Sequence, residues 1–176
     1  GDFDSLVLEL AVHRVDRLCA DGPIPSNVNV RGFNHLLGEC GISFFAVPEL
    51  AKKLNKNFPQ SLNGAPILLP GEMTVVQSEL LKWFDGLHIH PRIVGEFDDS
   101  ALMKAFGQAG AGVFIAPTPI ATEVEKQYGV MTIGETDQVI EQFYAISVER
   151  KITHPAVAAI TKTARDWLFR NEPHQE

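Results

Sequence analysis

The sequence predicts an α/β fold, and two observations carry that prediction. Between residues 66 and 133, short apolar runs alternate with stretches whose apolar residues recur at helical spacing. Such an order needs crossover connections, and hence mostly parallel sheets flanked by helices. The second observation is that the two ends of the chain are short on structure, whereas residues 40–135 suffice for a small α/β unit. The economical arrangement is two lobes, with residues 28–38 carrying the chain out of the first and residues 136–146 carrying it back.

The elements follow in order. Asp4 or Ser5 caps a first helix with Leu6, Val7 and Leu10 on one face. Residues 15–20 read as a short strand, and ADGPIP, residues 20–25, as the turn that ends it. Residues 28–37 and 41–47 are two extended runs separated by GEC, and Phe44 and Phe45 mark the second as buried. ILLPGEMTVVQSELLKWF gives a three-residue strand, a turn, and a helix with Val76, Leu80, Trp83 and Phe84 on one side. Thr74 and Gln77 have the spacing of a capping box, in which each side chain satisfies a free backbone N–H.

RIVGEF, residues 92–97, is the next strand, and Asp98 is the expected cap of the helix in GEFDDSALMKAF. AGVFIAP follows as a strand. Thr118 and Pro119 then open a helix with Ile120, Val124 and Tyr128 at intervals of four and Gly129 at its end. Residues 130–133 and 139–148 are extended. His154 and Pro155 announce a last helix with Val157, Ile160, Ala164 and Trp167 inside.

Composition excludes several classes. The chain has 176 residues, 45% hydrophobic and 21% charged, which suits a globular protein with one or two modest cores. Its formal charge of −7, from 22 acids against 15 Lys and Arg, argues against this segment holding nucleic acid by itself. Cys19 and Cys40 make no CxxC pair, so neither a disulfide framework nor a thiolate zinc site is indicated and a cytoplasmic setting is expected. No apolar run approaches the roughly 20 residues of a membrane span. GDFDSLVLEL lacks the basic start of a secretory signal.

In a parallel α/β sheet, ligands bind beyond the carboxyl ends of the strands, where loops enter helices. Four junctions qualify: Asp21, residues 71–74, residues 98–100 and residues 117–119. Each offers free N–H groups that favour anions, although Thr74, Asp98 and Thr118 also read as plain N-caps. The doubled acid is more informative. One carboxylate suffices as a cap, and a second adds a dipole term of only about 0.3–1 kcal/mol. With Glu72 or Glu96, Asp98 and Asp99 would build an oxygen-rich site for a hard cation, against the plainer reading of Asp99 as a solvated first-turn acid. His88 and His90 share a face if extended, but LHIHP reads as a solvated loop without a third ligand. No GxSxG, phosphate loop or HExxH occurs, so catalysis and a cofactor are not expected.

HRVDRLCADGPIP, NHLLGECGISFFAV, ILLPGE, VGEFDDSALMKAFGQAGAGVFIAPT and FYAISVERKITHPAV together resemble, in order and spacing, the effector-binding domain of LysR-type transcriptional regulators. Within that family the likeness is greatest to the sodium-responsive, NhaR-like activators. The resemblance covers nearly the whole chain. It implies a two-lobed fold like that of type II periplasmic binding proteins, with the first lobe incomplete. Residues 1–33 would be partial lobe I, residues 34–145 lobe II with hinge crossings near 34–37 and 142–145, and residues 146–176 the return to lobe I.

The resemblance also implies a DNA-binding helix-turn-helix domain and linker preceding this segment, a homo-oligomer, and a small effector between the lobes. Carried over by position, the effector would meet Asp21, Pro23, Gly71, Glu72, Met73, Thr74, Phe97, Asp98, Asp99, Pro117 and Thr118. Sodium at Asp98, Asp99 and Glu72, or a small organic anion at the helix starts, are the two effector classes expected. A transport solute-binding component of the same fold and a small α/β enzyme are the rival readings.

Overall fold

A computed structural model describes residues 33–72, 74–147, 159 and 162–166. The chain divides into two compact units, Gly1–Glu39 with Gln142–Glu176, and Cys40–Glu141. The expected first helix, first strand and ADGPIP turn lie outside the described residues, as do His154, Pro155, Val157, Ile160 and Trp167 of the last expected helix; residues 162–166 are helical.

Strand β1 is Phe33–Ala46 and strand β5 is Met131–Ser147. The chain passes from one unit to the other within β1 and returns within β5. The expected break at GEC is absent, because Gly38, Glu39 and Cys40 continue the strand. Likewise the extended runs expected at residues 130–133 and 139–148 belong to a single strand, Met131–Ser147. In the described part of the first unit, Arg165 Nε donates to the Leu37 carbonyl at 3.0 Å and its Nη2 to that of Leu36 at 3.2 Å.

The second unit is built around β1. Strand β2 is Pro66–Pro70, two residues longer than the ILL core, and β3 is Arg92–Phe97. They pair in parallel, from Pro66 opposite Arg92 to Pro70 opposite Phe97. Strand β4, Phe114–Pro117, joins the set through a parallel bridge between Ile67 and Val113, with Leu68 N donating to Val113 O at 2.8 Å. The parallel expectation stops at β1, which runs antiparallel to β4 with Ser43 opposite Ala116, and which has β5 on its other side.

Four α-helices complete the described part of the second unit. Helix α1, Pro48–Leu54, was not expected from the sequence; proline at its first turn lacks the N–H that would be unpaired there. Helix α2 is Val75–Gly86, α3 is Ser100–Gln108 and α4 is Ala121–Tyr128. Gly129 ends α4 in the left-handed region at φ 62°, where a side chain would be strained.

Successive residues of β1 point to opposite faces, and from Cys40 to Ala46 both faces are buried. Ile42, Phe44 and Ala46 join Ile67, Leu69, Val76, Leu80 and Phe84 in the main core. There the Phe44 ring lies 5.3 Å from Phe58, 5.6 Å from Trp83 and 6.4 Å from Phe84. Phe45, on the opposite face, stacks on Phe114 at 5.5 Å. Enclosing each such ring contributes about 1.5–3 kcal/mol. Double-sided burial makes the Cys40–Ala46 half of β1 the fixed reference against which the neighbouring loops are placed.

Candidate functional site

β2, β3 and β4 all lead at their carboxyl ends into helix starts, so three junctions of the second unit gather on one edge. Asp21, Pro23 and Met73 lie outside the described residues. The other expected site residues occupy the junctions as follows.

After β2, Gly71 is buried and Glu72 exposed. Thr74 is the N-cap of α2, accepting from Gln77 N at 3.3 Å. Its hydroxyl donates to Gly71 O at 2.8 Å, and Thr74 N donates to the same carbonyl at 3.0 Å. The expected capping box is therefore only half formed. The Gln77 side chain turns away from Thr74, and its Nε2 donates to Pro70 O at 2.9 Å and to Glu96 Oε2 at 3.4 Å. Gln77 is 7% exposed, and a buried amide must find acceptors for its N–H groups; the strand-end carbonyl supplies one, while Thr74 N, which a capping box would donate to the Gln77 oxygen, is already bonded to Gly71 O.

After β3, the Phe97 ring packs on Phe106 of α3 at 5.2 Å. The cap of α3 is Asp99, not Asp98: Asp99 Oδ1 accepts from Ala101 N at 2.8 Å and Leu102 N at 3.3 Å. Pairing with β2 holds the strand to Phe97, which leaves Asp98 in the loop one residue short of the cap. Asp98 is exposed, and its carboxylate lies over Gly71, where a Cβ would sit 2.0 Å from Oδ1. Among the described residues no three His, Cys, Asp or Glu side chains come together as a group that could hold a metal ion. Glu72, Asp98 and Asp99 thus share an edge without forming a three-carboxylate cluster.

After β4, Pro117 and Thr118 are half-buried. Residues Thr118–Ile120 form a single 3-10 turn before α4, and neither it nor α4 has a side-chain cap. The expected cap role of Thr118 is replaced by a contact with β1, in which the hydroxyls of Ser43 and Thr118 lie 3.0 Å apart, within hydrogen-bond distance. Pro119 explains the change: its ring occupies the first turn, and the helix settles into α geometry only at Ala121.

Ser43 escaped the sequence reading, and Gln77 was expected only as a capping-box partner of Thr74. The bond of Gln77 to the strand end carried a signal, a polar residue next to Val76 on a helix face that is otherwise apolar. Ser43 carried a similar one inside GISFFAV, and it is fully buried.

The family model described as the LysR substrate binding domain matches residues 34–168, which include every described junction. The chain belongs to this family. As a LysR substrate-binding domain it is 38% identical over 169 residues to the transcriptional activator protein NhaR of Escherichia coli (strain K12) and to that of Shigella flexneri. Those alignments cover 94% of this chain and 54% of each relative, so the chain spans about half the length of the two activators.

Solved structures agree on the fold. The AmpR effector binding domain from Citrobacter freundii matches with a TM-score of 0.57 and 19% identity, over 80% of this chain and 69% of that one. The effector binding domain of QuiR in complex with shikimate matches with a TM-score of 0.55 and 15% identity, over 97% of this chain and 78% of that one. The α/β reading with a type II periplasmic-binding-like fold therefore holds. Among the described residues, no helix is long and apolar enough to cross a membrane.

Proposed function

We propose that this chain is the effector-sensing and oligomerisation domain of a LysR-type DNA-binding transcriptional activator that works in the cytoplasm. Its small effector is held along the edge formed by Gly71, Thr74, Phe97, Asp98, Pro117 and Thr118, with Asp99 and Glu72 beside it. DNA is read by a separate helix-turn-helix domain, and this domain performs no catalysis. The observation that carries the reading is the gathering of three strand-to-helix junctions on one edge of a chain that belongs to the LysR substrate-binding family. Effector binding biases the arrangement of subunits by its differential affinity for the alternatives.

DNA binding and reporter transcription by the intact protein, titrated with sodium, with pH and with a series of small organic anions, test this reading. A response to at least one of them is expected, and identical behaviour throughout sinks it. Sodium is the finer reading, favoured by the two acids at residues 98 and 99, and it predicts weaker sodium binding by calorimetry in Asp98→Asn; unchanged affinity there rejects that site. Thr74→Ala reads loop integrity rather than anion contact, since the Thr74 hydroxyl is already spent on Gly71 and Gln77. A secretory signal in the upstream coding sequence would instead support the transport reading.

A further inference from the structure

The hydroxyls of Ser43 and Thr118 lie 3.0 Å apart, and either could in principle donate to the other. Burial decides which does. Ser43 is 0% exposed, on a strand enclosed on both faces, so its proton has no water to bond. Were Thr118 the donor, the Ser43 proton would be left unpaired in the interior, which costs about 1–3 kcal/mol. Thr118 is half-buried and opens on the edge where β4 ends, so its proton has somewhere to go.

We infer that Ser43 is a positioning residue, which donates to Thr118 Oγ1 and thereby commits the Thr118 hydroxyl to donate its own proton outward from the edge. The register supports the arrangement. Ser43 pairs with Ala116, and Thr118 lies two residues further along on the same face, a diagonal cross-strand neighbour. Thr74 offers the contrast within one edge, because its proton is committed to Gly71 O and its oxygen accepts from Gln77 N. The edge therefore has one threonine closed on its own loop and one whose donor faces outward. An outward O–H takes a hydrogen-bond acceptor, such as a carboxylate or carbonyl oxygen, and turns its positive end toward a cation.

This rests on the edge being the effector surface, but its tests do not depend on the identity of the effector. Neutron diffraction from deuterium-exchanged crystals of the chain should place the Ser43 deuteron on the line to Thr118 Oγ1. A Thr118 deuteron pointing at Ser43 overturns the inference. Sodium acetate, as a bare carboxylate probe, should shift the Thr118 amide and methyl resonances in a saturable way, beyond any change that sodium chloride at equal sodium produces. Ser43→Ala, with its remaining amide spectrum preserved, should weaken acetate about threefold through loss of orientation at Thr118. Indifference of Thr118 to acetate, beyond the sodium chloride control, at any concentration the protein tolerates overturns the inference. Acetate contact at Thr118 together with an intact protein deaf to every effector titration would sink the sensing function and leave this assignment standing.

Discussion

Thr74 and Thr118 follow the ends of two strands of the same unit, in turns that lead into helices, and they have opposite hydrogen-bonding economies. Thr74 sits in a junction that satisfies itself: Gly71, Gln77 and Pro70 supply its partners and those of the surrounding backbone. Thr118 sits in a junction without a side-chain cap, where the Ser43 side chain reaches it from β1 across the sheet. A closed junction holds its shape whatever is bound. One tied to a rigid strand keeps a group in place while leaving its free proton to a ligand.

The closed junction breaks most readily at Gln77. Replacing it with leucine keeps the helix and the packing volume but leaves the Pro70 carbonyl without its side-chain donor. Chemical denaturation should show a loss of about 1–3 kcal/mol, the cost of a buried acceptor left unpaired. A loss of less than about 0.5 kcal/mol would mean that the junction closes without Gln77.

The Thr118 junction responds differently to the same treatment. Thr118→Val leaves the Ser43 proton buried and unpaired, and is expected to cost about 1–2 kcal/mol. Adding Ser43→Ala removes the orphan, so the double variant should be more stable than Thr118→Val alone. Thr74→Ala should cost about 1 kcal/mol as a lost cap, and no second substitution of a single partner should restore it, since its hydroxyl serves two. A cycle in which the Ser43 and Thr118 losses simply add would show that the two hydroxyls do not interact.

The order of strands and helices was legible because apolar periodicity reports which faces are buried: Val76, Leu80 and Phe84 are enclosed as their spacing implies, and Phe44 and Phe45 are fully so. Helix α1 was missed because seven residues make barely two turns, and its proline looks like a break as readily as a start. The length of β1 was missed because Gly38 and Gly41 imitate a turn. Gly41 is instead a close approach, where a Cβ would meet the Thr136 backbone oxygen at 2.5 Å. Side-chain polarity at the edge was the least legible. Spacing offers Gln77 to Thr74, but burial and the Pro70 carbonyl redirect it, and only the pairing of β1 with β4 brings Ser43 to Thr118.

The smallest expected effects separate two neighbouring carboxylates that composition treats as equivalent. Asp99 holds two N–H groups at the start of α3, so Asp99→Ala should cost about 1 kcal/mol. Asp98 makes no contribution to that cap, and Asp98→Ala should change stability by no more than about 0.5 kcal/mol. Its position matters through Gly71. A methyl there would meet Asp98 Oδ1 at 2.0 Å, and because Asp98 is exposed its carboxylate can swing aside at small cost. Gly71→Ala should therefore displace the Asp98 carboxyl carbon resonance while leaving that of Asp99 in place. If both carboxyl resonances move together, the two acids act as one unit, and the division of labour between cap and exposed rim is wrong.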